Sequence, residues 1–267
     1  MARVFEISGL SFSYPGAGPS EGGRRRAIIR NITLSLKPGQ FYGIIGPNGC
    51  GKTTLIDLMM GQLAPTNGTV RYGGRNVSDI PSRERARHMA LVPQVYSINF
   101  PFTAREVVAM GRYPHLSRFA AVGEADAALV ADTMTATDTL RLSGRRINQL
   151  SGGERQRVVF ARALAQQAAV LFLDEATANL DINHTLALLA LAADRVKNGR
   201  TVISVFQDIN LAAMFCNHLV FMESGRCVAH GPTREVLTEA NLYRLFKVRC
   251  RVTENSFNQH LQVVFKG

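Results

Sequence analysis

The segment Gly46 to Thr53, GPNGCGKT, fits the pattern G-x-x-x-x-G-K-[ST] with Gly46, Gly51, Lys52 and Thr53 in the required places. Residues of these types at this spacing can cradle a polyphosphate. Glycines let successive backbone N–H groups turn towards an anion, and the N-terminus of a following helix adds partial positive charge. Lys52 can then reach the β- and γ-phosphates of a nucleotide, and the Thr53 hydroxyl can sit on Mg²⁺. A glycine-rich turn that merely caps a helix is the plainer alternative, but it does not explain the Gly51-Lys52-Thr53 run. Further along, VLFLDEATANLD places Asp174 and Glu175 where a buried strand meets solvent, the Walker B pattern. Asp174 would hold Mg²⁺ through water, and Glu175 would polarise the water that attacks a γ-phosphate. Between the two lies LSGGERQR, Leu150 to Arg157, in which Ser151, Gly152 and Gly153 open a helix. Their N–H groups and the Ser151 hydroxyl make a second anion site.

The elements that must position these residues alternate between short strands and helices, so the pattern predicts an α/β fold. Strands are expected at Val4–Ile7, Ile32–Leu36, Phe41–Ile45, Thr69–Tyr72, His88–Val92, Val170–Leu173, Thr201–Ser204, Leu219–Glu223 and Gly225–Ala229. Helices are expected at Thr53–Met60, Thr103–Met110, Ala125–Thr135, Gly152–Gln166, His184–Lys197 and Ile209–Phe215. Strand signals vanish between Tyr96 and Gln166, which marks a helical insertion. The division expected is a nucleotide-binding core at 1–94 and 167–267, with a helical subdomain at 95–166 carrying the LSGGE segment.

Together these motifs resemble those of the ATP-binding subunits of ABC transporters, over nearly the whole chain. The resemblance implies a P-loop NTPase (RecA-like) core with an antiparallel β subdomain and an inserted helical subdomain. It makes Tyr14 the aromatic that stacks on adenine, and Gly46, Pro47, Asn48, Gly49, Cys50, Gly51, Lys52, Thr53 and Thr54 the Walker A loop. Gln94, in VPQ, becomes the Q-loop glutamine beside the metal, Leu150 to Glu154 the signature, and Asn179-Leu180-Asp181 the D-loop. The cofactors implied are ATP and Mg²⁺. ATP would be sandwiched head-to-tail between Walker A of one copy and the signature, Ser151 to Glu154, of a second copy. The other partners implied are a multi-span membrane permease and, indirectly, a substrate-binding protein. The chain would then work as a peripheral subunit on the cytoplasmic face of the membrane.

One position departs from the family pattern. The histidine that contacts the γ-phosphate is replaced by Gln207 in SVFQDINLAA, and glutamine cannot become cationic. Slowed hydrolysis with retained binding is expected. Cys50 lies inside the phosphate loop by a helix N-terminus, which can lower a thiol pKa, so alkylation is expected to inhibit nucleotide binding and ATP to protect. The segment TAREVVAMGRYPHLSRF resembles importers of chelated iron, haem or cobalamin and, less specifically, molybdate importers. It places Arg112 to His115 near the permease-facing surface.

Composition narrows the class further. The chain of 267 residues is 46% hydrophobic and carries a net charge of +11, which calls for an anionic partner, nucleic acid or a membrane face. With only 7% aromatic residues, no basic-aromatic platform for single-stranded nucleic acid emerges, and no nucleic acid is expected. The Arg24-Arg25-Arg26 cluster reads as a solvated loop. No run approaches a membrane span, and MARVFEISGLSFSY alternates like a strand rather than a signal peptide. The four cysteines, Cys50, Cys216, Cys227 and Cys250, have no C-x-x-C pair, so reduced thiols are expected. DNA-repair ATPases and ribosome-associated factors share the signature. They normally carry long coiled-coil or zinc insertions, or two cassettes in one chain, and neither shows in this sequence.

Overall fold

The computed structural model describes residues 3–15, 27–96, 100–117, 123–178 and 180–266. Arg24, Arg25, Arg26 and Asn179 lie outside the described residues. The chain divides into two compact units, Met1–Ile80 with Ile203–Gly267, and Pro81–Val202.

The first unit begins with β1 (Phe5–Phe12) and β2 (Ile29–Leu36), paired antiparallel. Next come β3 (Phe41–Ile45), α1 (Lys52–Met59), β4 (Asn67–Tyr72) and β5 (Arg75–Asn76). β4 pairs antiparallel with the other side of β1, and the sheet order is β2-β1-β4-β5. Phe5, Ile7, Leu10 and Phe12 of β1 are all buried, yet their spacing breaks the alternation of a regular strand. The break is a bulge at Gly9, whose φ of 59° suits glycine, and it returns Leu10 to the core face. Asn31 of the partner strand also has a positive φ, 54°, and β2 starts at Ile29 rather than at the expected Ile32. β3 is buried at all five positions, as a strand covered on both faces must be.

The second unit carries α2 (Ser82–His88), β6 (Met89–Val92), α3 (Ala104–Ala109), α4 (Glu124–Ala136), α5 (Gly152–Ala165), β7 (Val170–Asp174) and α6 (Ile182–Lys197). β6 and β7 run parallel, from Met89 opposite Val170 to Val92 opposite Leu173. Helices α3, α4 and α5 enclose their own core, with Val107, Val108, Val130, Met134, Val158 and Ala161 nearly inaccessible. Among the described residues from Tyr96 to Gln166 the only β structure is the single bridge between Thr103 and Arg146.

β8 (Thr201–Val205) is where the chain returns from the second unit to the first. There follow α7 (Ile209–Phe215), β9 (His218–Glu223), β10 (Arg226–Pro232), α8 (Thr233–Val236), α9 (Glu239–Phe246), and a hairpin of β11 (Cys250–Glu254) and β12 (Leu261–Phe265). In the first unit the strand order is β10-β9-β3-β8, with β9 parallel to β3 and antiparallel to β10. In the second it is β8-β7-β6. The α/β expectation holds. Helices α2, α8 and α9 and the C-terminal hairpin were not expected, and His88 ends α2 instead of opening a strand. None of the described helices is long and apolar enough to cross a membrane.

Candidate nucleotide site

In the first unit, β3 delivers the phosphate loop to the N-terminus of α1. Gly51 caps that helix at φ 103°, a conformation a side chain would strain. Gly46 is required for another reason, since a Cβ there would overlap the Met222 carbonyl of β9. The loop is also tied to the β9–β10 turn, where Gly225 N–H donates to Cys50 O at 3.0 Å. The Gly225 carbonyl in turn accepts from Arg30 N–H at 2.8 Å. Lys52 is buried, and its Nζ donates to Gly46 O at 2.9 Å and Pro47 O at 3.2 Å, so the cation is fixed over the loop. Thr53 is exposed and Thr54 buried. Tyr14 packs edge-on against Phe12 and its hydroxyl lies 3.3 Å from Thr54 Oγ1, which sets the aromatic beside the first turn of α1. A glycine-walled loop, a helix N-terminus and a held ammonium suit a polyphosphate.

The premise for Cys50, a thiol pKa lowered by the helix N-terminus, is reversed. Its side chain is buried, and burial pushes the thiol up from its usual range, outweighing the pull of the nearby Lys52 charge. All four cysteines are free. Gln207 is exposed just after β8, following Phe206, whose N–H donates to Ile44 O of β3 at 3.1 Å. The next residue, Asp208, caps α7 through hydrogen bonds from Asn210 N (2.7 Å) and Leu211 N (3.2 Å).

In the second unit, Asp174 ends the wholly buried β7 and is itself only 4% exposed. Glu175 follows with φ 48°, a left-handed conformation costly for a residue with a side chain. Gln94, just past β6, donates from Nε2 to Glu175 Oε2 at 2.7 Å. The glutamine and the carboxylate, 81 residues apart in sequence, therefore form one hydrogen-bonded pair.

Ser151 caps α5 in a reciprocal box: its hydroxyl accepts from Glu154 N at 3.2 Å, and Glu154 Oε2 accepts from Ser151 N–H at 2.9 Å. The Ser151 N–H holds the Glu154 carboxyl below its usual range, with Arg145 Nη1 also at 3.3 Å from Oε1. Ser151 and Gly152 are exposed and Gly153 partly so, leaving the helix end accessible to an anion. Asp181 caps α6 by accepting from His184 N at 2.9 Å.

A residue not singled out from the sequence links three of these motifs. Gln156, within the LSGGERQR run, is buried and donates from Nε2 to Ala176 O at 2.9 Å and Pro93 O at 3.4 Å. It pins the signature helix to the turns bearing Glu175 and Gln94. Arg112, expected near an outer surface, is buried instead, with Nε on Asp126 at 2.7 Å and Nη1 on the Ala165 carbonyl at the end of α5 at 2.6 Å. Tyr113, at 58%, and His115 of that stretch are exposed, and Pro114 is half-buried.

Residues 29–178, which span the phosphate loop, the signature and the carboxylate pair, match the ABC transporter family. The chain belongs to that family. Among curated ABC relatives, it is 42% identical over 84% of its length to the cobalamin import ATP-binding protein BtuD of Halobacterium salinarum. It spans only 56% of that relative's length. It is 40% identical over 87% of its length to the hemin import ATP-binding protein HmuV of Nocardia farcinica, covering 78% of it. With the ferric enterobactin transport ATP-binding protein FepC of Escherichia coli it shares 35% identity over 85% of its length, covering 84% of FepC. A metal-chelate type ABC transporter solved in an inward-facing conformation superposes with TM-score 0.81 at 25% identity, covering 100% of this chain and 98% of that one. A dimeric ATP-binding cassette in a post-hydrolysis state with ADP and Pi superposes with TM-score 0.77 at 26% identity, covering 86% of this chain and 99% of that one.

Proposed function

We propose that this ABC cassette binds and hydrolyses ATP to energise import of a chelated metal compound, an iron-siderophore, haem or cobalamin, through a membrane permease. The observation that carries the hydrolytic reading is the Gln94–Glu175 hydrogen bond of 2.7 Å, because it orients a carboxylate at the end of a buried strand. The import reading and its cargo class draw on the names of the relatives, the cobalamin, hemin and ferric enterobactin proteins.

In this reading Tyr14 stacks on adenine, residues Gly46 to Thr54 wrap the phosphates, and Lys52 turns from its loop carbonyls to the β- and γ-oxygens. Mg²⁺, when bound with the nucleotide, would neutralise charge on those oxygens, and the hard oxygen donors proposed to hold it are the Thr53 hydroxyl, the Gln94 amide oxygen and the Asp174 carboxylate. Glu175 accepts a proton from the attacking water, and Gln94 keeps its carboxylate aimed. Gln207 offers the γ-phosphate a neutral amide. The signature of a second copy, Ser151 to Glu154, completes the site from the opposite side, with Asp181 at the same face. The core then comprises 1–94 and 167–267, and 95–166 is the helical subdomain that meets the permease on the cytoplasmic side, a substrate-binding protein acting across the membrane.

The test is reconstitution of the chain with its permease in vesicles. ATPase activity stimulated by cargo-loaded binding protein is expected, and Glu175→Gln should lower kcat by at least about a hundredfold while ATP binding persists, the usual effect of removing a general base. Undiminished hydrolysis by Glu175→Gln, or no stimulation by any metal-chelate cargo, would refute it.

A further inference from the structure

Within the second unit, His184 occupies a position that the nucleotide chemistry does not use. Its Nδ1 lies 2.8 Å from Asp181 Oδ2 and 2.9 Å from Oδ1, while its Nε2 faces Asp138 Oδ2 at 3.8 Å. The imidazole therefore stands between two carboxylates from distant parts of the chain. Asp138 also meets Arg157 Nη1 of the signature helix at 3.5 Å and Arg141 Nη2 at 3.6 Å. Arg157 is 5% exposed in its side chain and its Nε has no hydrogen-bond partner; Asp138 lies within ion-pair distance of this buried cation, whose charge also acts on Asp181 and Glu154.

The turn that presents Asp138 is built to stay in place. Asp138 takes φ 50°, between Thr137 and Thr139, which are 2% and 0% exposed. Their hydroxyls lie 3.0 Å apart, and both bond to the end of α4, Thr137 to Thr133 O at 2.9 Å and Thr139 to Met134 O at 3.2 Å. A carboxylate on so fixed a turn can hold two side chains in register. The Asp181 carboxyl, for its part, lies below its usual range because the His184 backbone and ring donate to it.

We propose that His184 is a positioning residue: with Asp138 and Arg157 it locks Asp181 to the signature helix, so that both present to a second copy as one rigid surface. This rests on the function proposed above, where Asp181 and Ser151 to Glu154 meet that copy. A cap alone would need only the Asp181 carboxylate and the His184 N–H. The ring's second carboxylate is what a coupling device requires.

In steady-state assays of the full chain, His184→Ala is expected to lower kcat roughly tenfold, the rate equivalent of one hydrogen bond to a charged group, with KM for ATP within about twofold. Asp138→Asn should reproduce that loss, and the double variant should be no slower than either alone. His184→Asn, whose amide can replace Nδ1 but cannot reach Asp138, should stay below wild type. Wild-type rates for His184→Ala, full rescue by His184→Asn, or additive losses would overturn the proposal. A second measurement stands apart from turnover. The ring ¹⁵N resonances of His184 in the folded chain should move in Asp138→Asn, and unchanged resonances would overturn the coupling even if the chain proved unable to hydrolyse ATP.

Discussion

At the scale of single residues, Glu175 shows how much local strain this cassette tolerates at the end of β7, where hydrolysis is proposed. A left-handed glutamate persists only because its surroundings fix it, here the buried β7 before it and the Gln94 amide on its carboxylate. Gln207, proposed to face the γ-phosphate, is where a substitution tests the proposed chemistry most directly. Replacing its neutral hydrogen bond by a charge-assisted one in Gln207→His should raise kcat roughly five- to tenfold, read as steady-state ATP turnover. Identical turnover in the two chains would show that this position does not limit hydrolysis. Cys50 yields a pH prediction. Its thiol is raised by burial, so the neutral form is favoured in the folded chain, and the stability this lends is full below the unfolded pKa and lost as pH rises. Alkylation should accordingly be slow at neutral pH and keep accelerating beyond the pH at which an unfolded cysteine levels off. A rate that levels off at or below the unfolded value would contradict this. The phosphate loop itself was legible from eight adjacent residues, because its geometry is local. The state of Cys50 was not, because the burial that decides it is tertiary and outweighs the effect of a helix N-terminus.

Among elements, those with a hydrophobic period or a cap were readable and those without were not. The Ser151-Gly152-Gly153 opening announced α5, and the all-apolar VLFL announced β7. Helix α2, SRERARH, buries no residue at all, and β11, CRVTE, is polar enough to pass for a loop. The β9–β10 turn was legible as two strands, but its grip on the phosphate loop was not, since the Gly225–Cys50 bond joins residues far apart in sequence. Gly225 has φ 80°, and a Cβ there would overlap the Ile28 carbonyl. Gly225→Ala should therefore cost about 1–3 kcal/mol in urea unfolding and weaken binding of a fluorescent ATP analogue roughly tenfold as the loop loses its seat. Native affinity in a folded Gly225→Ala chain would show that the loop holds its own shape. Gln156 and His184 were missed for a related reason, because each joins motifs that the sequence presents one at a time.

The whole molecule joins a net charge of +11 to exposed apolar side chains such as Phe100 and Val95 in the second unit. If the signature completes a second copy's site, as proposed, the association state should change with nucleotide. Glu175→Gln incubated with Mg-ATP should sediment as a dimer and return to a monomer in ADP, and a species unmoved by either nucleotide would argue against a shared site. The order of the chain has a consequence for biosynthesis. Pro81–Val202 is a single uninterrupted stretch, whereas the other unit must wait for Ile203–Gly267. The phosphate loop leaves the ribosome early, but the Met222 carbonyl against Gly46 and the Gly225 N–H that holds Cys50 emerge roughly 170 residues later, about ten to thirty seconds at ordinary rates of synthesis. Throughout that interval the nascent chain displays the fingerprint of a nucleotide-binding protein without a seated loop, so nucleotide cannot serve as an early template for its folding.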